Sequence, residues 1–228
     1  MAIDRPGWDG RTWAQDLAGN ARAALEVLDA RGVERATVVG HSLGAAIAAW
    51  LAVHHGERVS ALVLVAPAAN QAALGRLDRW LAAPGLAELS GATAMASLGL
   101  ALSVGRVRGR VAAAAGLPDG YLRRARTTLL RPGAWRSYAT EQRALVRGVT
   151  ALEPGLPTIS APTAILFGDR DAIVSPGASR RLSEQIPGAR LVVRPGAGHL
   201  LPQRAPGFVA DEILAALPGD AGSTLAGA

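Results

Sequence analysis

The 228-residue chain contains no cysteine and no lysine. Without cysteine, the protein can form neither a disulfide framework nor a thiolate metal site. All 24 basic residues are arginine, which we attribute to GC-rich codon usage and which carries no mechanistic weight. The length and the 50% hydrophobic content fit one globular domain, or one domain carrying a subdomain, with a sizeable core.

The chain also lacks the hydrophobic segments that direct proteins into or across membranes. Residues 1–7 have no apolar stretch of the signal-peptide type, so we expect a cytoplasmic protein. The stretch from Ser90 to Gly105 is uncharged but spans only 16 residues, which is short for a bilayer span. We interpret it as a cap helix over a pocket, with contact to a membrane surface as the alternative.

Positive charge is concentrated in the middle of the chain. Between Arg76 and Arg147 there are 12 arginines and 4 acidic residues, a net charge of +8, whereas the rest of the chain carries −2. A solvated helical surface explains this segment, and attraction to an anionic substrate or lipid surface stays open. We expect no nucleic-acid partner, because aromatic residues are not interleaved with the arginines and no binding motif occurs.

Apolar runs alternate with amphipathic stretches at both ends of the chain. Strands that alternate with helices at this spacing predict the α/β class, with a mostly parallel sheet and flanking helices. Gly and Pro between the runs mark the turns. The predicted elements are a helix from Thr12 to about Arg31, strand 36–40, a helix to about His55, strands 61–65 and 162–167, a helix over 177–186, strand 189–193 and a helix over 206–217.

The middle segment has a different pattern. Residues 68–157 contain no convincing strand, only helical stretches broken at Pro84-Gly85, Gly116 to Pro118 and Arg131 to Gly133. An insertion of this size between strands predicts a helical cap above the strand ends, where such sheets bind ligands. The predicted organisation is a core of residues 1–67 and 158–217, a cap of 68–157 and a flexible tail of 218–228.

The stretch Gly40-His41-Ser42-Leu43-Gly44 has the pattern G-x-S-x-G. A β-branched run precedes it and a stretch of helix formers follows it, which is the strand–turn–helix context of a nucleophile elbow. The turn exposes the Ser42 hydroxyl, and we expect both flanking glycines to be needed because a Cβ would clash. The N–H of Leu43 would lie at the helix N-terminus, where it can donate to an oxyanion.

A serine nucleophile needs a base, and the base needs a group that holds its tautomer. Of the four histidines, His199 follows Gly196-Ala197-Gly198 on a loop after a strand, so it is the candidate base. Asp171 follows the preceding strand and is the candidate orienting acid, with Asp169 as its rival. We expect Asp169 to bond the backbone of its own turn. The other histidines are His41, inside the elbow, and His54 and His55, at the end of the next helix.

The order Ser42, Asp171, His199 is the order of the triad in α/β-hydrolases. Together with Asp4-Arg5-Pro6-Gly7-Trp8, the elbow and the two loops, it makes the chain resemble the α/β-hydrolase family from Asp4 to about Leu217. The resemblance implies Ser42 as nucleophile, His199 as base, Asp171 as orienting acid, and no cofactor or metal. A serine at position 42 also distinguishes the chain from the related dehalogenases and epoxide hydrolases, which attack with aspartate.

One departure from the family pattern affects the chemistry. Members of the family that this chain resembles usually carry three further strands before the Asp-Arg-Pro-Gly turn. In those proteins the loop after the third strand supplies a second oxyanion donor. Loss of one such donor costs about 10²- to 10³-fold in rate. The open edge of the elbow strand would also favour instability, aggregation or a partner, including a second copy. Either the natural start lies upstream, or the short form is a weak enzyme or a binding protein.

The sequence therefore predicts a serine hydrolase that cleaves a small to medium carboxylic ester through an acyl-serine intermediate. The Ala, Leu and Gly content of the predicted cap indicates a largely apolar, small-molecule substrate. Carbon–carbon bond hydrolysis, amide hydrolysis and perhydrolysis use the same triad and stay open. The alternative from another functional class is a binding protein that keeps the fold but has no catalytic activity.

Overall fold

The computed structural model describes residues 1–8, 12–83 and 85–217. Four parallel strands form a sheet in the order β1-β2-β3-β4, so that β1 and β4 lie at its two edges. This confirms the predicted class, because each apolar run forms a strand within two residues of its expected bounds. The strands are β1 (Ala36–His41), β2 (Val59–Val65), β3 (Thr163–Gly168) and β4 (Arg190–Arg194).

Helices connect the strands, as parallel pairing requires. Two helices come before β2, a group of five separates β2 from β3, and three follow β3. Their bounds are α1 (Leu17–Asp29), α2 (Leu43–His54), α3 (Arg76–Leu81), α4 (Leu86–Ser103), α5 (Gly105–Ala115), α6 (Asp119–Leu129), α7 (Ala134–Leu152), α8 (Pro176–Gln185), α9 (Leu201–Arg204) and α10 (Pro206–Ala215).

The first helix begins later than the sequence predicted. Asp16 is the N-cap of α1, and its carboxylate accepts a hydrogen bond from the N–H of Gly19. The expected cap, Thr12, instead accepts from the N–H of Gly7 with its hydroxyl oxygen. Asp and Thr are both good caps, and the structure uses the one next to the buried residue Leu17.

Helices cover both faces of the sheet. On one face, α1, α2 and α8 pack with the inward residues of β2 and β3, including Leu62, Leu64 and Ile165. On the other face, Leu201 and Val209 from α9 and α10 pack on Val63, Val65 and Leu166. The strands β2 and β3 are therefore buried on both sides, as their unbroken apolar runs predicted.

The helices α3 to α7 form the helical insertion between β2 and β3, inside the range predicted as the cap. The bidentate ion pair between Arg5 and Glu141 of α7 fastens the N-terminal segment to this insertion. The predicted helix breaks at Gly116 and Gly133 are present, and both glycines have positive φ. Pro84 of the third break and the predicted tail, 218–228, lie outside the described residues. None of the described helices is long and apolar enough to cross a membrane.

The outer edge of β1 is open within the part of the chain that the structure describes. Val39 lies opposite Val63 in the sheet, yet 44% of Val39 is exposed whereas Val63 is fully buried. A groove of about 620 Å³ runs along this edge, between β1, the segment from Met1 to Pro6 and the first two helices. Its inner end reaches Gly40, His41 and Gly44, so the groove connects the open edge with the elbow.

Candidate active site

Ser42 lies at the turn between β1 and α2, in a conformation that L-residues rarely adopt. Its φ is 56° and its ψ is −119°. Two backbone hydrogen bonds hold the strained turn: the N–H of Ser42 donates to Val65, and the carbonyl of Ser42 accepts from Ala68. Such strain persists only where surrounding contacts impose it, and it is frequent at functional sites.

The two glycines of the elbow serve different purposes. A Cβ on Gly40 would lie 2.2 Å from the carbonyl oxygen of Gly44, so the close approach of strand and helix requires glycine there. A Cβ on Gly44 would meet nothing within 4 Å. The expectation that both glycines avoid a clash is therefore wrong for Gly44, because Gly44 borders the groove beside β1.

His199 and Asp171 come from the loops that follow β4 and β3. We call residues 195–199 the histidine loop. Its backbone touches the end of β3 so closely that a Cβ on Gly168 would lie 2.1 Å from the carbonyl oxygen of Ala197. The N–H of Arg170 donates to that same carbonyl over 2.9 Å. The two loops are thus held together at the carboxyl ends of the strands, where Ser42 also lies.

A chain of hydrogen bonds joins the three predicted residues. Nδ1 of His199 lies 2.8 Å from Oδ2 of Asp171, and Nε2 of His199 lies 3.0 Å from Oγ of Ser42. A carboxylate only accepts, so Nδ1 carries the proton and Nε2 is free to accept from the serine hydroxyl. The side chains of His199 and Asp171 are 9% and 1% exposed, so water competes little for these bonds.

The surroundings of the Asp171 carboxyl group favour its ionised form. Burial opposes its ionisation, but hydrogen bonds from His199, Val174 and Ile173 outweigh burial and lower its pKa below the usual value. The N–H groups of Ile173 and Val174 donate to Oδ1 over 2.8 and 2.9 Å, which leaves Oδ2 for His199. A fixed negative charge beside Nδ1 would stabilise an imidazolium at His199.

The rival acid, Asp169, does not reach His199 in this arrangement. Its Oδ1 accepts from the N–H of Gly196 over 2.6 Å, in the histidine loop, where we had expected a bond within its own turn. His54 stacks on Trp50 near the far end of α2, about 18 Å along the helix from Ser42. His55 is the C-cap of that helix.

His41 is a member of the site that the sequence interpretation passed over. Its Nε2 lies 2.9 Å from the carbonyl oxygen of His199, and the two rings are 4.9 Å apart at 43°. Burial lowers the pKa of His41 below its ordinary value of 6.5, although the bond to His199 opposes this. Its position directly before the serine was the available signal.

Leu43 is the first residue of α2, so its N–H belongs to the first turn, whose donors have no partner within the helix. That N–H adjoins Ser42 in the chain, at the positive end of the helix dipole. Among the residues that the structure describes, no group of three or more His, Asp or Glu residues is arranged to hold a metal ion. The groups that the structure places together at this site are a hydroxyl, an imidazole, a carboxylate and backbone donors.

A strained serine between strand and helix, with an imidazole and a carboxylate from two later strand ends, defines a class of α/β protein. The family model for the alpha/beta hydrolase fold matches residues 6–202, and the chain belongs to this family. The protein is accordingly a hydrolase, as the resemblance implied.

Curated and structural relatives agree with the family. A pimeloyl-[acyl-carrier protein] methyl ester esterase of Neisseria meningitidis is 30% identical over 203 residues, which cover 87% of this chain and 75% of the relative. A meta-cleavage product hydrolase from Pseudomonas fluorescens has a TM-score of 0.64 at 23% identity, covering 92% of this chain and 74% of that one. A thermophilic esterase from Thermogutta terrifontis has a TM-score of 0.64 at 21% identity, covering 93% and 76%. The two solved structures support the fold alone.

Proposed function

We propose that the protein is a serine hydrolase that cleaves carboxylic esters of small to medium size through an acyl-serine intermediate. The observation that carries the proposal is the hydrogen-bond chain from Asp171 through His199 to Ser42. Each distance is short enough for proton transfer without rearrangement. The ester class is supported by the 30% identical relative, whose name describes a methyl ester esterase.

In the first half of the reaction, Oγ of Ser42 attacks the ester carbonyl carbon while Nε2 of His199 takes the hydroxyl proton. The carbonyl oxygen becomes an oxyanion, which accepts from the N–H of Leu43. Collapse of this intermediate breaks the bond to the alcohol oxygen, and His199 returns its proton to that oxygen. The products are a free alcohol and an ester of Ser42.

In the second half, Nε2 of His199 takes a proton from water, and the resulting hydroxide attacks the acyl-serine. The second oxyanion collapses to the carboxylic acid, and His199 protonates Oγ of Ser42. Asp171 keeps its negative charge throughout and stabilises the imidazolium of each transition state. We assign no second oxyanion donor among the described residues, and each missing donor costs about 10²- to 10³-fold.

We assign the helical insertion the role of a cap over the acyl group. It leaves the sheet after β2, beside the elbow, where insertions in this class of fold cover the ligand. The sequence of α4 is rich in Ala and Leu and carries few charges, which favours an apolar acyl chain. Methyl esters belong in the substrate panel, because the Neisseria meningitidis relative is named for one.

The test is covalent labelling of the purified full chain with a fluorophosphonate probe, which reacts with an activated serine. We expect the wild type to be labelled and Ser42→Ala to remain unlabelled. Ser183→Ala is the matched control, because Ser183 is half-buried and its hydroxyl donates within its own helix, to the carbonyl of Arg180. Hydrolysis of p-nitrophenyl and methyl esters of graded acyl length then defines the substrate.

A folded wild-type chain that resists the probe would contradict the proposal. The protein would then be an inactive member of the family that binds a ligand, which is the alternative from another class. Labelling that persists in Ser42→Ala would equally overturn the assignment of the nucleophile. Circular dichroism of each variant establishes that the compared proteins are folded.

A further inference from the structure

His41 connects the two halves of the site through a bond that neither the proposed mechanism nor the family motif requires. It is the residue before Ser42, at the end of β1, and its side chain reaches the backbone of His199 158 residues later. The same carbonyl belongs to the residue whose ring bonds both Ser42 and Asp171. Elbow and histidine loop are thereby joined directly.

The direction of this bond follows from its chemistry. A carbonyl oxygen only accepts, so Nε2 of His41 carries a proton and donates. Burial disfavours the charged imidazolium and so lowers the pKa of His41 below its ordinary value, which favours the neutral ring. A neutral His41 can donate this bond without placing a positive charge 4.9 Å from the ring of His199, where an imidazolium forms during the reaction.

We propose that His41 is a positioning residue, whose Nε2–H holds the histidine loop against the elbow and keeps Nε2 of His199 within reach of the Ser42 hydroxyl. This inference rests on the proposed function, since it assigns His41 a part in the same site. Its hydrogen bond goes to the backbone of the histidine loop, and His41 acts through that backbone. Its loss should lower the rate of chemistry and leave substrate binding intact.

Two substitutions separate the N–H group from the bulk of the ring. His41→Gln keeps an amide N–H at nearly the same reach, whereas His41→Leu keeps the bulk and removes the donor. We expect His41→Leu to lower kcat and the fluorophosphonate labelling rate by about 10- to 100-fold, the usual effect of a misplacement of about 1 Å. KM should stay unchanged, and His41→Gln should approach the wild type. His55→Leu, at the other end of α2, is the matched control.

A spectroscopic measurement tests the same inference without requiring activity. The proton between Nδ1 of His199 and Asp171 should give a ¹H NMR resonance far downfield in the wild type, in His41→Gln and in His55→Leu. In His41→Leu the loosened loop should admit water, so the resonance should broaden or vanish. If the wild type resists the fluorophosphonate, the proposed function fails, while this resonance still decides the role of His41.

Three outcomes would overturn the role of His41. One is a folded His41→Leu variant with wild-type kcat and an intact resonance. Another is a His41→Gln variant as impaired as His41→Leu, because the N–H would then not be the group that matters. The third is an effect confined to KM. If His41→Leu does not fold, His41→Asn replaces it, because asparagine is polar but too short to reach the carbonyl.

Discussion

The two edges of the sheet meet their surroundings in different ways. β4 begins and ends with arginine: Arg190 pairs with Glu212, and the guanidinium of Arg194 lies 5.3 Å from the ring centre of Phe208. β1 contains no Asp, Glu, Lys or Arg, and Val39 projects into a groove. Charged edge residues prevent another strand from pairing, so β4 is protected and β1 is not.

The candidate site draws on both edges. Ser42 and His41 stand at the end of the unprotected strand, whereas Asp171 and His199 follow β3 and β4. The proposed base and orienting acid therefore belong to the protected side of the sheet, and the proposed nucleophile belongs to the side with an open groove. We expect substitutions on the protected side, and of His41, to act on chemistry, and those along β1 before His41 to act on folding and association.

The largest expected effect lies on the protected side. In Asp171→Asn, the amide can donate to Nδ1 of His199 and stabilise the tautomer that cannot accept from Ser42. We expect ester hydrolysis to fall about 10³- to 10⁴-fold, or about 4–5.5 kcal/mol in activation free energy. Asp169→Asn is the matched variant, because its amide oxygen can still accept from Gly196. Equal losses in the two variants would contradict the choice of Asp171 as the orienting acid.

At the end of β1, the expected effect is on folding. Gly40→Ala places a methyl group against the carbonyl of Gly44, and we expect a loss of about 3 kcal/mol or more in the free energy of unfolding. Gly44→Ala meets open space within a helix, where alanine is favoured over glycine by roughly 0.5–1 kcal/mol. Urea unfolding measures both. A Gly44→Ala variant as unstable as Gly40→Ala would show that the groove beside β1 is closed in solution.

The two halves should also respond differently to acid. The lowered pKa of His41 means that the unfolded chain binds more protons as pH falls below about 6.5, so the folded state loses stability there. The pKa of Asp171 is also lowered, so its protonation reduces the free energy of unfolding only at lower pH, below about 3.8. Arg5, Asp171 and His199 are the charged or titratable groups acting on His41.

Urea unfolding across this pH range should therefore show a decline beginning near pH 6.5 in the wild type. His41→Gln has no titrating ring, so we expect the early part of that decline to be reduced. Identical slopes in the two proteins would mean that His41 has no lowered pKa in the folded state.

The smallest effect on stability is expected at Val39, although its effect on association should be clear. Val39→Lys charges the open edge, and at a 44% exposed position it should change the free energy of unfolding by less than about 0.5 kcal/mol. Light scattering should show less self-association than in the wild type. Arg194→Val on β4 should have the opposite effect. A wild type that remains monomeric at high concentration would contradict the expected difference in self-association between β1 and β4.

Much of the fold could be predicted because buried parallel strands leave unbroken apolar runs. Residues 61–65 and 162–167 needed no information beyond hydropathy and flanking Gly and Pro. Parallel strands also end at the same edge of a sheet, so Ser42, Asp171 and His199 could be expected to lie near one another. Their hydrogen bonds agree with this expectation, and their catalytic roles stay predictions.

The details that were missed depend on contacts between distant residues. Asp169 was expected to bond within its own turn, but its carboxylate accepts from the N–H of Gly196 in the histidine loop, 27 residues later. The bond of His41 spans 158 residues and has no local pattern. Gly44 matched the motif, but the reason for its glycine depended on the groove beside β1. The N-cap of α1 is Asp16 and not Thr12, because the buried face of the helix begins at Leu17.

The position of the helical insertion also sets an order of assembly. Fewer than 20 residues separate β1 from β2, whereas about 100 separate β2 from β3. Closing the longer loop costs about 1.5 kcal/mol more in chain entropy. The unit β1–α2–β2 can therefore form early, with its serine turn exposed, while the chain is still being synthesised. The carboxylate and the imidazole arrive only with the last third of the chain, so the nascent protein has the proposed nucleophile, Ser42, long before it has the proposed base, His199.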